Sequence, residues 1–172
     1  MISDGHDEKV IVVDDQDNIL GYKTRNQLLF TDRTRVSGVW IENSKGDVLL
    51  AQRSWQKEFH PGLWGSAAAG GVEKSESYEQ NAYKELFEEI GLADVPLVLV
   101  DTRPVTDADG HMMYLAFYKG VVDVAIDQLE LEDEVEAVQW ITKKDLTADM
   151  KNNPTKYVPS AYALWDELFL SK

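Results

Sequence analysis

Residues 70–92 read GGVEKSESYEQNAYKELFEEIGL, and this stretch decides how the rest of the chain is read. A glycine pair opens it, a helix-forming run follows, and a dense acidic cluster closes on glycine. The spacing predicts a helix from about Ser75. Tyr83, Leu86, Phe87 and Ile90 fall at i, i+3, i+4 and i+7 and predict a buried stripe. Glu85, Glu88 and Glu89 stand at i, i+3 and i+4 and share the opposite side. Gly91 ends the helix, as a residue free to take positive φ. Three carboxylates on one side repel each other. They read either as a solvated acidic face or as oxygen ligands for a hard divalent cation, which would neutralise the repulsion.

Upstream, residues 1–8 read as a polar tail. The β-branched run 10–13, the turn cluster 14–18 and the return 19–24 predict an N-terminal hairpin. The Asp residues of that turn lack the spacing and distal Glu of an EF-hand. Two more strands are expected over 34–42 and 47–53, around a turn at Asn43-Ser44-Lys45-Gly46, and the second delivers Arg53. A loop rich in Trp, His, Pro and Gly runs from 54 to 66. Downstream, 96–103, 111–119 and 134–141 read as strands. Thr142 is placed to cap a short helix reaching Met150. Tyr162, Trp165, Leu168 and Phe169 mark a last helix over 159–170. Residues 9–172 are expected to form one domain, a mixed sheet covered by helices on both sides.

Composition narrows the function. The 172 residues carry a net charge of −14 and no cysteine. Disulfides, thiolate metal sites and cysteine nucleophiles are therefore excluded. The acidic balance argues against nucleic-acid binding, which needs a basic surface. No apolar run approaches the roughly 20 residues of a membrane span. The stretch MISDGHDEKV lacks a signal-peptide core, so a cytoplasmic protein without membrane partners is expected.

The pattern in residues 70–92 resembles the Nudix box. Gly70, Glu76, Glu85, Leu86, Glu88, Glu89, Gly91 and Leu92 all fall in register with that motif. Lys84 stands where the motif has Arg, offering a point charge in place of a planar fork. The resemblance implies a Nudix-type α/β/α sandwich and hydrolysis of a diphosphate linked to another moiety, usually a nucleoside. It also implies Mg²⁺ or Mn²⁺ as cofactor. Glu85, Glu88 and Glu89 would then be metal ligands, with the Gly70 carbonyl as a further one. Lys84, Glu85 and Glu88 would act at the catalytic centre, and Glu76 and Gly91 would support the box. The general base would be a box Glu or a loop Glu, and Glu134, beside Glu132, stands where such a loop residue falls. Arg53 is a candidate phosphate donor, and Trp64 or Trp55 a candidate stacking residue. His60, with no second His nearby in sequence, reads as a loop-packing residue, and His6 and His111 are equally isolated. The partner would be a small-molecule diphosphate, and the chain a monomer or homodimer.

Segments outside the box resemble Nudix proteins close to isopentenyl-diphosphate isomerase. Aligned on Trp64, that enzyme's catalytic Cys falls on Ala69 and its metal ligands fall on Thr34, Gly71, Gly110 and Met112. Isomerase chemistry is therefore rejected. The remaining alternative to a hydrolase is a Nudix-fold binding module with little catalysis.

Overall fold

The computed structural model describes residues 8–170. His6 and all but the last residue of the expected tail lie outside them. Strands β1 (Lys9–Val13) and β2 (Ile19–Thr24) form the expected hairpin. Asp14 shapes its turn by accepting the Gln16 and Asn18 amides, each at 2.9 Å. Asp17, at φ 65°, pairs with Arg35 at 2.7 Å and accepts the Tyr78 hydroxyl at 3.0 Å. The hairpin is thereby tied to the start of the central helix.

The organising strand is β3 (Arg33–Glu42). Along one edge it pairs antiparallel with β1, then β6 (Ala68–Gly71), then β4 (Val48–Arg53). Along its other edge it pairs parallel with β8 (Met112–Val121) over its whole length. β7 (Leu97–Thr106) adds to β8. β5 (Trp64–Gly65) and β9 (Val135–Ile141) flank β4. The result is a mixed, open sheet. The loop expected over 54–66 thus ends in a short strand, and the Ala-rich run after it forms a strand too.

Alternation along β3 places core on both faces, as a sheet covered on two sides requires. Val39 and Ile41 meet the helix α1 (Tyr78–Ile90) with Leu49, Ala82, Leu86 and Ile90. Trp40 faces the other way, toward α2 (Lys143–Asn152) and α3 (Pro159–Trp165), which runs on as a π-turn over Asp166–Leu170. There Trp40 stacks on Phe169 at 4.2 Å and meets the Trp165 edge at 5.3 Å. Trp165, Leu168 and Phe169 are buried as expected, whereas Tyr162 is exposed. Thr142 caps α2 through the Asp145 amide at 3.0 Å. This is the α/β/α sandwich. None of the described helices is long and apolar enough to cross a membrane.

Candidate active site

The helix starts two to three residues later than its sequence spacing predicts. Ser77 accepts the Gln80 amide at 3.1 Å, and the Gln80 side chain accepts the Ser77 amide at 2.9 Å. This reciprocal cap fixes the first turn and leaves residues 73–76 as a loop. Gly91, at φ 70°, ends the helix with its N–H on the Phe87 carbonyl at 2.9 Å.

The buried face of α1 is rotated from the predicted stripe. Leu86 and Ile90 are fully buried, but Tyr83 and Phe87 are exposed. Asn81, Ala82 and Glu89 take the inward positions in their place. Glu85 and Glu89, one turn apart, therefore look toward the sheet, while Glu88 lies on the exposed margin.

Glu85 lies against the backbone of Gly70, where any Cβ would overlap its carboxylate. Asn81 holds it from below. The Asn81 Nδ2 donates to Glu85 Oε1 and Glu76 Oε2, each at 3.1 Å, and to the Gly71 carbonyl at 3.2 Å. Its own Oδ1 is buried and has no partner among the described residues. Glu89 accepts the Ala69 amide at 3.4 Å. Burial, opposed by Lys84 and the Asn81 bond, leaves Glu85 pushed up to about 7. Burial, then the neighbouring Glu85 and Glu134 carboxylates, push Glu89 up to about 8. Among the described residues neither carboxylate has a salt-bridge partner within 4.0 Å. A half-buried and a buried carboxylate one turn apart, neither in an ion pair among the described residues and the first seated against a glycine that leaves room for it, make a donor set that suits a hard divalent cation.

Lys84 turns away from this pair. It meets Glu73 and lies 3.0 Å from Glu76, whose carboxylate also accepts the Glu73 amide at 3.1 Å. Burial works against both charges, but their mutual pairing outweighs it, raising Lys84 and lowering Glu76. Lys84 and Glu76 thus lock the loop that leads into α1.

Beside Glu89 a cleft opens over the sheet. Arg53, Glu89 and Glu134 stand on its polar wall, and Val36, Leu115 and Phe117 on its apolar wall. Arg53, at the end of β4, donates from Nε to the Phe59 carbonyl at 3.0 Å. Burial lowers its pKa, against the attraction of Glu89 and Glu134. Glu134 is half-exposed and paired with Lys57. Burial alone would raise it, but Lys57, Arg25 and Arg53 keep it below the usual glutamate value. Glu132 is exposed, and its amide bonds the Glu89 carbonyl at 3.2 Å.

Two expectations are corrected. The half-buried Trp64 indole packs against the core on the α2/α3 face and, among the described residues, is not one of those that line the cleft. Trp55 is exposed and lies across Gly62. His60 and His111, isolated in sequence, come together with Asp107 and Asp109 at the far end of the 54–63 loop. Asn81 escaped sequence reasoning, since a lone Asn inside a helix carries no signal of its three acceptors.

Residues 32–161 match the NUDIX domain family. A Nudix hydrolase from Pseudomonas aeruginosa is 32% identical over 131 residues, covering 76% of this chain and 76% of that one. One from Yersinia pestis is 34% identical over 90 residues, so the chain is matched over 52% of its own length and spans about half (50%) of that relative's. The crystal structure of DR0079 from Deinococcus radiodurans superposes with a TM-score of 0.82 at 18% identity, covering 94% of this chain and 99% of that one.

Proposed function

The chain belongs to the NUDIX domain family, and on that premise we propose that it is a divalent-metal-dependent hydrolase of a diphosphate linked to another moiety, a nucleoside diphosphate derivative. The observation that carries this reading is the carboxylate pair one turn apart on α1, Glu85 half-buried against Gly70 and Glu89 buried on the wall of the cleft, both held well above the usual glutamate pKa. Glu85, Glu89 and, from the margin, Glu88 would hold Mg²⁺ or Mn²⁺, with the Gly70 carbonyl as a further ligand. When bound, the cation would supply charge neutralisation for the diphosphate and for its leaving oxygen.

The chain's own residues do the rest. Arg53 presents its remaining guanidinium N–H groups to the substrate phosphate from the polar wall it shares with Glu89. Glu134, kept ionised by Lys57, accepts the proton of the attacking water as general base. Lys84 acts through the loop rather than on the substrate, by holding Glu73 and Glu76. The apolar wall receives the organic part of the substrate. The reading takes the protein as cytoplasmic, without a membrane partner, and its net charge of −14 disfavours nucleic acid as a partner.

A panel of nucleoside di- and triphosphates, nucleotide sugars, dinucleoside polyphosphates and prenyl diphosphates, assayed with Mg²⁺ and Mn²⁺, tests this. Metal-dependent release of phosphate products is expected on at least one class, and Glu89→Gln should abolish it. No metal-dependent turnover on any class would leave a binding module.

A further inference from the structure

The β7–β8 turn and the 54–63 loop carry a second constellation, separate from the Glu85/Glu89 pair. His60, Asp107, Asp109 and His111 each offer one ligand atom, and these atoms all lie within 4.8 Å of one another. His111 Nδ1 is 3.5 Å from Asp107 Oδ2, His60 Nε2 is 4.0 Å from the same oxygen, and His60 Nδ1 is 3.7 Å from Asp109 Oδ2. Ligand atoms around a tetrahedral ion bound at about 2.0–2.1 Å sit roughly 3.3–3.5 Å apart. His60 reaches Asp107 through Nε2 and Asp109 through Nδ1, so one of these nitrogens would serve as ligand and the four donors would draw in from within 4.8 Å to close on an ion.

Asp107 is built for the part. Its side chain is only 2% exposed. Its Oδ1 accepts the Asp109 amide at 3.0 Å and the His111 amide at 2.9 Å, which fixes the carboxylate plane. The buried side chain therefore aims Oδ2 at both imidazoles. Phe30 and Phe59, both exposed, flank the His111 ring at 5.3 and 5.7 Å between centroids and limit its rotation. Asp109 lies on the solvent side, 53% exposed, and leaves that position open to exchange.

We propose that His60, Asp107, Asp109 and His111 bind a transition-metal cation of the Zn²⁺ class, and that this ion clasps the 54–63 loop to the β7–β8 turn. Two imidazoles with two carboxylates favour Zn²⁺ or Co²⁺ over the all-oxygen coordination that Mg²⁺ prefers. The clasp has a reach beyond its own ligands. Phe59, next to His60, accepts the Arg53 guanidinium bond, so an ion here would fix the loop that positions Arg53 at the cleft. Such an ion would be structural, and distinct from the cation proposed for hydrolysis.

The test uses the whole chain in excess Mg²⁺, so that the Glu85/Glu89 pair is occupied. Titration with Co²⁺, read by the visible absorption of tetrahedral cobalt, should show one ion per chain in wild type and in Glu89→Gln. His60→Asn, which keeps a residue tolerant of the left-handed backbone at φ 54°, and His111→Ala should each bind at least about 10-fold more weakly. A wild type that takes up no Co²⁺ in excess Mg²⁺ overturns the proposal. So does wild-type affinity in the His60→Asn/His111→Ala double variant. Should the variants not fold, mapping of histidine modification on wild type decides. Protection of His60 and His111 by Zn²⁺ supports the clasp, and unchanged reactivity of both refutes it.

Discussion

At position 70 the side chain is absent because the Glu85 carboxylate fills its place. The strand β6 approaches α1 so closely there that a single methyl group would drive Glu85 out of its pocket. Gly70→Ala should therefore leave a folded chain with its far-UV spectrum intact while displacing Glu85 from Asn81 and Glu89. Metal-dependent turnover is expected to drop at least about 100-fold, by analogy with the loss of one precisely placed stabilising group. Turnover equal to wild type would place the Glu85 carboxylate outside the chemistry. Asn81 works at the same scale. Its two N–H bonds are spread over Glu76, Glu85 and Gly71, so one buried carboxamide joins the loop brace of Lys84 and Glu76 to the carboxylate pair.

The helix α1 carries the acid pair as an element, and its pH response follows. Glu85 and Glu89 titrate near 7 and 8 in the folded chain against 4.5 for a free glutamate. The folded state therefore holds protons that the unfolded state has lost, so their contribution to stability falls as pH rises from about 4.5 through 8. His60, lowered by burial, contributes the opposite slope below 6.5, and it does so in any variant of the pair. In the absence of divalent cations, thermal unfolding temperature across this window should decline more steeply in wild type than in Glu89→Gln. Mg²⁺ should remove the difference by binding the deprotonated pair. Identical pH slopes in the two proteins would mean that Glu89 is not a buried, proton-holding group.

The same helix shows what was legible in the sequence. Its glycine stop and its acid spacing could be read directly, because αL geometry needs glycine and carboxylates one turn apart share a side. Its rotation could not. Tyr83 and Phe87 are hydrophobic and correctly spaced, yet solvent takes them, because Asn81 and Glu89 must face the sheet for the pair to form. Hydrophobic counting assigns the inner face to apolar residues, and here polar residues occupy part of it. The longer strands were readable from alternation and turn residues, but β5 and β6 were not, since Trp64-Gly65 closes a loop and Ala68-Ala69-Gly70-Gly71 has no β-branched residue. What no local pattern could give was the meeting of His60 with His111, which depends on closure of two distant loops.

At the scale of the whole molecule, β3 pairs antiparallel with β1, β6 and β4 along one edge and parallel with β8 along the other. The parallel register joins Arg33 to Met112, 79 residues later in the chain. This matters while the protein is being made. At synthesis rates of roughly 5–20 residues per second, β3 waits roughly 4–16 s for its parallel partner. Through that interval Val39, Trp40 and Ile41 lie on a strand with one edge open, a template for pairing with another chain. A chain ending at residue 110, just short of β8, should accordingly collect in the insoluble fraction and show no cooperative unfolding, whereas the full chain stays in solution. A soluble, cooperatively folding fragment would show that β3 can be satisfied without β8. The strand that unites the sheet is thus also where the nascent chain depends most on finishing, or on a chaperone that covers the open edge until it does.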